Sequence, residues 1–416
     1  MANVSSSNGL EKRPKLRFPG FDEPWNESKL SACFAKNIKK NTDGRISNVI
    51  CNSAKMGLIP QRDYFDKDIA NSDNTSGYYI IEHNDFVYNP RKSSDAPYGP
   101  ISRYAYPDAG IVSPLYLCFR AKGDVDTNFF EWYFRSSAWH RYIYMTGDSG
   151  ARHDRVSIKD DDFFSMPIRF PSSIEQKKIA SFLNAIERRI SSQQLLVDNL
   201  KKYKRGVFEA IFSRTLRLMP RTSQSEWTAF KLSDFATRIT RKNNGATDIP
   251  LTISAQYGLI DQRDFFSKVV ASTDMSGYYL LHRGEYAYNR STSNDYPFGS
   301  IKRLDLYDKG AVSTLYLCFA IKEEVVLSDF ARWYFESSQW YRGVNEICAE
   351  GARNHGLLNV PTDGFFNTVH ILPSDIEEQS RIAAFLSRIH EKVIQAQEEL
   401  DELNSLRKGL MQQLFI

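Results

Sequence analysis

The chain of 416 residues contains an internal duplication, and this repeat constrains its fold more than any other feature. Residues 76–119 align without a gap to residues 276–319, and 21 of the 44 aligned positions are identical. Unrelated sequences of ordinary composition would share roughly 3. The similarity continues on both sides, and Trp25, for example, matches Trp227. We therefore expect two copies of one structural plan.

Each copy begins with a region that predicts mixed α and β structure. Short runs such as residues 77–81, 86–89 and 113–119 are rich in β-branched and aromatic residues, and Gly, Pro, Asn and Asp break them. Such runs predict strands. An aromatic segment over residues 129–144 predicts a helix, and its counterpart begins at Phe330. We expect each region to form an α+β globule with these aromatic side chains in its core.

Each copy ends in a long helical pattern whose apolar residues alternate at spacings of four and three, the pattern of a coiled-coil seam. The seam positions are Ile179, Leu183, Ile186, Ile190, Gln193, Val197, Leu200, Lys204, Val207 and Ile211, then Ile382, Leu386, Ile389, Val393, Ala396, Leu400, Leu403, Arg407, Leu410 and Leu414. Residues 172–214 carry nine Lys and Arg against four acids, whereas residues 374–416 carry five against eight. Opposite net charges attract. We predict an antiparallel coiled coil that separates two similar globules related by a pseudo-two-fold axis.

These patterns divide the chain into six segments. They are an N-terminal arm (1–20), a first globule (21–171), a first long helix (172–214), a linker (215–226), a second globule (227–373) and a second long helix (374–416). The arm is polar and basic, and we expect it to be loosely held.

Composition excludes several classes of protein. No run reaches the roughly 20 apolar residues that span a bilayer, and the N-terminus lacks the apolar core of a signal peptide, so a soluble cytoplasmic protein is expected. The five cysteines show no spacing of metal ligands, and we expect reduced thiols and no metal site. A net charge of +4 permits nucleic-acid binding but does not establish it.

Two motifs are similar to those of a known family. The pattern SGYY…(D/E)(F/Y)xYN…P(Y/F)G…G(I/A)VSxLYLCF resembles the target-recognition domain of the specificity subunits of type I restriction-modification systems. FPSSIEQKKIASFL at residues 170–183, and more loosely LPSDIEEQSRIAAFL at residues 372–386, resembles the start of that family's spacer helices. The resemblance covers nearly the whole chain. It implies a subunit without catalytic residues, whose two recognition domains contact the two parts of an interrupted sequence in double-stranded DNA.

The resemblance also implies partners. The spacer coil of the family holds two modification subunits, which flip adenine out of the duplex and methylate it with S-adenosylmethionine. Further restriction subunits are motor nucleases that cut unmodified DNA and use ATP and Mg²⁺. This chain itself would need no cofactor.

Two loops in each copy are candidates for contacting DNA, because they combine phosphate donors with side chains that pair with base edges. The predicted residues of the first loop are Asn89, Arg91, Lys92, Ser93, Ser94, Tyr98 and Arg103, with Asn289, Arg290, Ser291, Thr292, Ser293, Asn294 and Arg303 in the second copy. Those of the second loop are Arg152, His153 and Arg155, with Arg353, Asn354 and His355. Arg62 and Arg263 are further candidates for backbone contacts. The alternatives are ordinary polar surface loops, and for the arginines a helix cap or an ion pair.

Other functional classes fit the sequence less well. The chain has no GxxxxGK[ST] loop for ATP and no Asn-Pro-Pro-aromatic motif for adenine methylation, and we do not expect an enzyme. A coiled-coil scaffold that binds only proteins is the alternative. Salt-sensitive, sequence-dependent DNA binding would distinguish a specificity subunit from such a scaffold.

Overall fold

The computed structural model of the chain forms two compact units, each of mixed α and β structure. It describes residues 13–64, 75–148, 154–220, 226–254, 257–265, 274–293, 296–348 and 356–416. The first unit comprises Met1–Gln194 and Glu398–Ile416, and the second comprises Leu195–Gln397. The boundaries lie within two long helices, so each unit contains one sheet-rich domain and a part of both helices.

The two sheet-rich domains have the same order of elements. The first contains β1 Asn26–Lys29, α1 Leu30–Cys33, β2 Phe34–Lys36, β3 Ile50–Ser53, β4 Gly57–Pro60, α2 Gln61–Tyr64, β5 Tyr79–Ile81, β6 Phe86–Tyr88, β7 Ile101–Arg103, β8 Gly110–Val112, β9 Leu117–Ala121, α3 Thr127–Arg135, α4 His140–Thr146, α5 Asp160–Phe164 and β10 Pro167–Phe170, followed by the long helix α6 Ser173–Phe212. The second contains β11 Trp227–Lys231, α7 Leu232–Phe235, β12 Ala236–Ile239, β13 Leu251–Ser254, β14 Gly258–Asp261, α8 Gln262–Phe265, β15 Tyr279–His282, β16 Tyr286–Asn289, β17 Ser300–Arg303, β18 Lys309–Val312, β19 Leu317–Ile321, α9 Ser328–Glu336, α10 Tyr341–Ile347, α11 Thr362–Phe366 and β20 Val369–Pro373, followed by the long helix α12 Ile376–Leu414.

Strand pairing is also the same in both units, as the duplication predicts. A four-stranded antiparallel sheet has the order β2-β9-β6-β7 in the first unit and β12-β19-β16-β17 in the second. Three antiparallel pairs complete each domain, namely β1-β10, β3-β4 and β5-β8, or β11-β20, β13-β14 and β15-β18. The hairpins β3-β4 and β6-β7 correspond to β13-β14 and β16-β17 in the second unit.

The aromatic segment forms the core of each domain, as predicted. Phe129, Phe130 and Phe134 on α3 are at most 2% exposed, and the equivalent side chains on α9 are also buried. Asp126 caps α3, because its carboxylate accepts hydrogen bonds from the backbone N–H groups of Asn128 and Phe129. The helix packs its apolar face against the sheet, where Phe86 and Phe119 stack at a centroid distance of 5.5 Å.

The long helices pair in antiparallel fashion within each unit. In the first unit Glu187 binds Arg407 at 2.9 Å and Arg189 binds Glu399. Successive residues along α6 thus contact earlier and earlier residues of α12, as antiparallel helices require. In the second unit Lys201 donates to Gln397 and Lys204 contacts His390. The predicted seam residues are buried or half-buried throughout, which confirms the seam.

The N-terminal arm is held more firmly than the sequence predicts. The backbone N–H of Leu16 donates to the carbonyl of Gln413 at 3.0 Å. Arg17 makes two hydrogen bonds of 2.8 Å to the Glu175 carboxylate, which is 1% exposed. A buried carboxylate needs such a partner, because leaving it unpaired costs several kcal/mol. The prediction of a loose arm is therefore wrong for these residues, and residues 1–12 lie outside the described part of the chain.

The linker makes the equivalent contacts in the second unit. Leu216 donates its backbone N–H to the carbonyl of Ala210, and Arg217 makes two hydrogen bonds, of 2.8 and 2.9 Å, to Glu378. The arm and the linker thus occupy matching positions in the two units. Among the helices that the structure describes, none has the length and apolar character to cross a membrane.

Candidate nucleic-acid interface

Internal hydrogen bonds define the conformation of the β6-β7 loop, residues 89–99. The Tyr88 hydroxyl donates to the carbonyl of Tyr98 at 2.8 Å, and the Asn89 side chain accepts the backbone N–H of Arg91 at 3.1 Å. Gly99 has a φ of +80°, and a Cβ there would overlap the Asn89 carbonyl oxygen. Only glycine closes this loop without strain.

The described parts of the β16-β17 loop, residues 289–293 and 296–299, repeat this construction. Tyr288 donates its hydroxyl to the carbonyl of Phe298 at 2.8 Å, and Asn289 accepts the backbone N–H of Ser291 at 3.0 Å. Gly299 has a φ of +78° and the same close approach to the Asn289 carbonyl. The two asparagines therefore shape the loops with their side-chain oxygens.

A second segment lies against each loop, a contact that the sequence alone does not predict. In the first unit the backbone N–H of Lys92 donates to Asp154, and that of Val156 donates to Pro90. In the second unit Thr292 donates to Gly356 and Leu358 donates to Arg290. Residues 154–156 and 356–358, which follow the loops by more than 50 positions in sequence, thus share a surface with them.

The β3-β4 hairpin adds a third segment, which the sequence analysis missed. Asn52 is its anchor: its side-chain amide donates to the carbonyl of Val87, and its side-chain oxygen accepts the Ser102 hydroxyl. At the tip of the hairpin, Lys55 lies 3.7 Å from Asp95 on the β6-β7 loop. The sequence signal that could have identified it is the Gly57 and Gly258 pair, which marks equivalent tight turns with φ values of +70° and +81°.

Positive charge is concentrated on this surface in the first unit. Arg91 is exposed and Lys92 is half-buried. Burial raises the pKa of the Tyr116 hydroxyl, while a hydrogen bond at the Asn52 backbone and the charges of Arg155 and Arg91 lower it. Arg91, Arg155 and Tyr116 therefore lie within electrostatic reach of one another beside the hairpin.

The second unit places its guanidinium group differently. Arg290 donates to the carbonyls of Leu315 at 3.0 Å and Val360 at 3.4 Å. Its Nε, like that of Arg155, is buried without a hydrogen-bond partner among the described residues. Next to it, Ser291 and Ser293 are exposed and Thr292 is half-buried. The loops thus share a framework but present different chemistry, with two cations replaced by hydroxyl groups.

Several predicted site residues are engaged in contacts inside a unit. Arg103 binds Glu131 and Asn84 at 2.7 Å each, and its side chain is 15% exposed. Arg303 binds Asp305 and Asp329, and its side chain is 13% exposed. Arg263 binds Asp261, whose pKa this contact lowers. Arg103 and Arg303 are held in part-buried pairs whose loss costs free energy, and they are not part of the proposed interface. The Arg263 side chain is 46% exposed and such pairs are weak, so Arg263 stays a prediction.

The remaining predicted residues differ in how well they are placed. Ser93 and Ser94 are exposed on the β6-β7 loop, and Tyr98 is half-buried beside His140 at a ring distance of 5.0 Å. Arg62 is exposed on α2. The predictions for Arg152, His153, Asn294, Arg353, Asn354 and His355 fall outside the described residues.

The described residues contain no group of three or more His, Cys, Asp or Glu side chains that could hold a metal ion. Three separate segments instead meet in each unit, on a surface that is partly cationic in the first unit and rich in hydroxyl groups in the second. Such a surface suits contacts with phosphates and with base edges.

The fold of this chain is similar to that of solved structures. The chain resembles the type I restriction-modification system S subunit from M. genitalium, with a TM-score of 0.56 and 13% identity over 97% of this chain and 99% of that chain. It also resembles a chain from a study of complex assembly and conformational transition in the type I R-M system, with a TM-score of 0.55 and 15% identity over 95% and 98% of the two chains. No protein-family profile matches the sequence, and no curated protein does. The chain has the fold of the S subunits of type I restriction-modification systems.

Proposed function

We propose that this chain is the DNA specificity subunit of a type I restriction-modification complex and that it reads a target in two separate parts. The observation that carries the proposal is the structural likeness to an S subunit over nearly the whole of both chains. The duplicated surface supports it independently, because in each unit a second segment lies against the loop and the β3-β4 or β13-β14 hairpin packs along the strand that follows the loop.

The chemistry of the two loops suggests how the units differ in what they read. In the first unit Arg91 and Lys92 supply positive charge for phosphates, and Arg also pairs with guanine. Their counterparts Ser291 and Thr292 supply hydroxyl groups, which bond to any base edge or to phosphate. Because the frameworks match while these side chains differ, we propose two related but unequal half-sites.

The partners follow from the same proposal. Two modification subunits would bind this chain and methylate adenine with S-adenosylmethionine, and restriction subunits that use ATP and Mg²⁺ would complete the complex. This chain would contribute positioning and sequence recognition and no catalytic group. A protein-only scaffold is the competing hypothesis, and it predicts that DNA sequence has no effect on the assembly.

Single-molecule sequencing of methylated DNA tests the proposal. Genomic DNA from cells that carry the chain is compared with DNA from otherwise identical cells that lack it. We expect adenine methylation at an interrupted motif only in the cells that carry the chain. Methylation that is the same in both strains would contradict the proposal and leave the scaffold hypothesis.

A further inference from the structure

The tip of the β3-β4 hairpin and its counterpart each carry a large apolar side chain that faces solvent. Met56 is 61% exposed and Tyr257 is 60% exposed. Both precede the glycine of positive φ that begins the next strand, so they occupy the same position in the two units. A single exposed apolar side chain is ordinary on a protein surface, but here the same position carries one in both copies, beside the proposed interface.

Serine hydroxyl groups fix the backbone of both hairpin tips. The Ser53 hydroxyl oxygen accepts the backbone N–H groups of Lys55 and Met56, each at 3.3 Å, and Ser254 accepts that of Tyr257 at 3.2 Å. In the first unit the hairpin is also bonded to the neighbouring β6-β7 hairpin through Asn52. A fixed turn loses little further backbone entropy when it binds a ligand, so the remaining cost is the rotamer freedom of the side chain itself.

The tips lie at the edge of the proposed DNA interface. Lys55, next to Met56, reaches Asp95 on the β6-β7 loop. In the second unit Tyr257 directly precedes β14. This strand packs along β17, which follows the β16-β17 loop. A second exposed apolar pair, Leu115 and Leu315 at 59% each, lies on the turn between β8 and β9 or β18 and β19.

We infer that Met56 and Tyr257 are apolar base contacts, one in each half of the DNA target, and this inference rests on the proposed function. Apolar side chains in protein–DNA interfaces contact thymine methyl groups in the major groove or wedge between base steps in the minor groove. The aromatic ring of Tyr257 and the flexible thioether of Met56 would favour different bases. These residues therefore help to set the sequence preference of each half.

Contact with a protein partner is the competing explanation, and the structure favours DNA. The proposed complex holds two copies of one modification subunit, and identical partners would be met by similar side chains in the two units. Met56 and Tyr257 differ in shape and polarity, as do the loop residues beside them. The side chains at the tips therefore differ between the units, as expected if the two units read the two different half-sites proposed above.

The test measures equilibrium binding of the complex between the full chain and its modification subunits to a fluorescein-labelled duplex that carries the methylated motif mapped in cells. We expect Tyr257→Ala to raise the Kd about tenfold, within the range known for loss of an aromatic contact with a base, and Tyr257→Phe to stay within about twofold of wild type. Met56→Ala should raise the Kd several-fold. Ile38→Ala and Leu306→Ala remove exposed apolar side chains outside the three segments, and they should leave the Kd unchanged.

Salt dependence separates these contacts from phosphate contacts. The slope of log Kd against log salt concentration should be unchanged in Tyr257→Ala, because no charge is lost. Arg91→Ala, in contrast, should reduce that slope by about one. The same titrations on duplexes altered in one half-site should show that each tip variant loses discrimination in one half only.

Two results would overturn the inference. One is a Kd in both alanine variants equal to that of wild type, while the wild-type complex prefers the mapped duplex. The other is loss of the modification subunits from the variant complexes in sedimentation velocity, which would assign the tips to a protein contact. If the wild-type complex shows no preference for the mapped duplex, the proposed function itself fails, and the two failures are thereby distinguished.

Discussion

At the scale of single residues, the two glycines that close the candidate loops are the most restrictive positions. Gly99 and Gly299 combine a left-handed φ with a backbone carbonyl at the place where a Cβ would stand. Glycine is tolerated there because it has no side chain. The loops that bear the proposed DNA contacts thus depend on two residues that have no side chain to contact DNA.

Substitution of Gly99 by alanine should therefore destabilise the first unit and disturb its loop. Gly123→Ala is the matched control, since Gly123 has a φ of +55° but no neighbouring atom within 4 Å of the added Cβ. The control should lose roughly 1 kcal/mol of unfolding free energy from strain alone. Gly99→Ala should lose clearly more in urea denaturation, and an equal loss in both variants would show that the loop tolerates a side chain.

His370 predicts a dependence of stability on pH. It is 2% exposed between the Tyr334 hydroxyl at 3.0 Å and the Thr368 hydroxyl at 2.9 Å, and burial lowers its pKa to about 4. Its ordinary pKa is about 6.5, so between these values the unfolded chain binds a proton that the folded chain does not. The free energy of unfolding should thus fall as the pH falls from about 6.5 to 4, by up to about 3 kcal/mol from this residue.

The variant His370→Ile isolates this contribution. The first unit has Ile168 at the equivalent place in β10, so the change is one that the fold already accommodates. His390, whose pKa burial also lowers to about 4, acts in the same direction and remains in the variant. Urea denaturation at pH 7.5 and pH 5 should show a smaller difference in the variant than in wild type. The same pH dependence in both proteins would rule out His370 as its source.

At the scale of elements, the sequence predicts the helices better than the loops. The seam repeats at a fixed spacing, so residues such as Leu183, Val197 and Leu386 identify the buried face without knowledge of the rest of the fold. The burial of the aromatic segment was equally readable, because a run of large apolar residues has to be buried somewhere. The single helix expected over residues 129–144 was wrong, because the segment forms two helices, α3 and α4. Tyr144, at the end of that segment, is an exception and is 68% exposed.

Contacts between segments far apart in sequence could not be read in the same way. The positions of the hairpin tips depend on which strands pair. The arm is fixed by the hydrogen bond from the Leu16 backbone N–H to the carbonyl of Gln413, which lies near the other end of the sequence. Arg103 looked available for DNA because the sequence does not show that Glu131 lies beside it. Charge patterns predict where binding is possible, and only the fold shows which charges are already paired.

The pairing of the long helices makes a prediction at this scale. Glu187 and Arg407 form a half-buried ion pair in the first unit. Reversing either charge alone, as Glu187→Arg or Arg407→Glu, places like charges together and should lower the unfolding free energy by about 1 kcal/mol. The double variant restores the pair and should recover most of that loss in a double-mutant cycle. Additive losses in the double variant would indicate that the pair does not form.

At the scale of the whole molecule, the duplication connects the fold to the proposed function. Each unit repeats one sheet order, one loop construction and one hairpin tip, while the side chains on those loops differ. If each unit reads one half of the target, its domain should be a transferable module. A chain that carries the same domain twice should read the same half-site twice.

The central claim is tested most directly by genome-wide mapping of adenine methylation with such a chain, in which residues 227–373 are replaced by a copy of residues 21–171. We predict that the wild-type chain directs methylation to an interrupted motif with two different halves. The duplicated chain should keep the half-site of the first unit and use it in both halves of its motif. An uninterrupted motif, or an unchanged motif with the duplicated chain, would contradict the account.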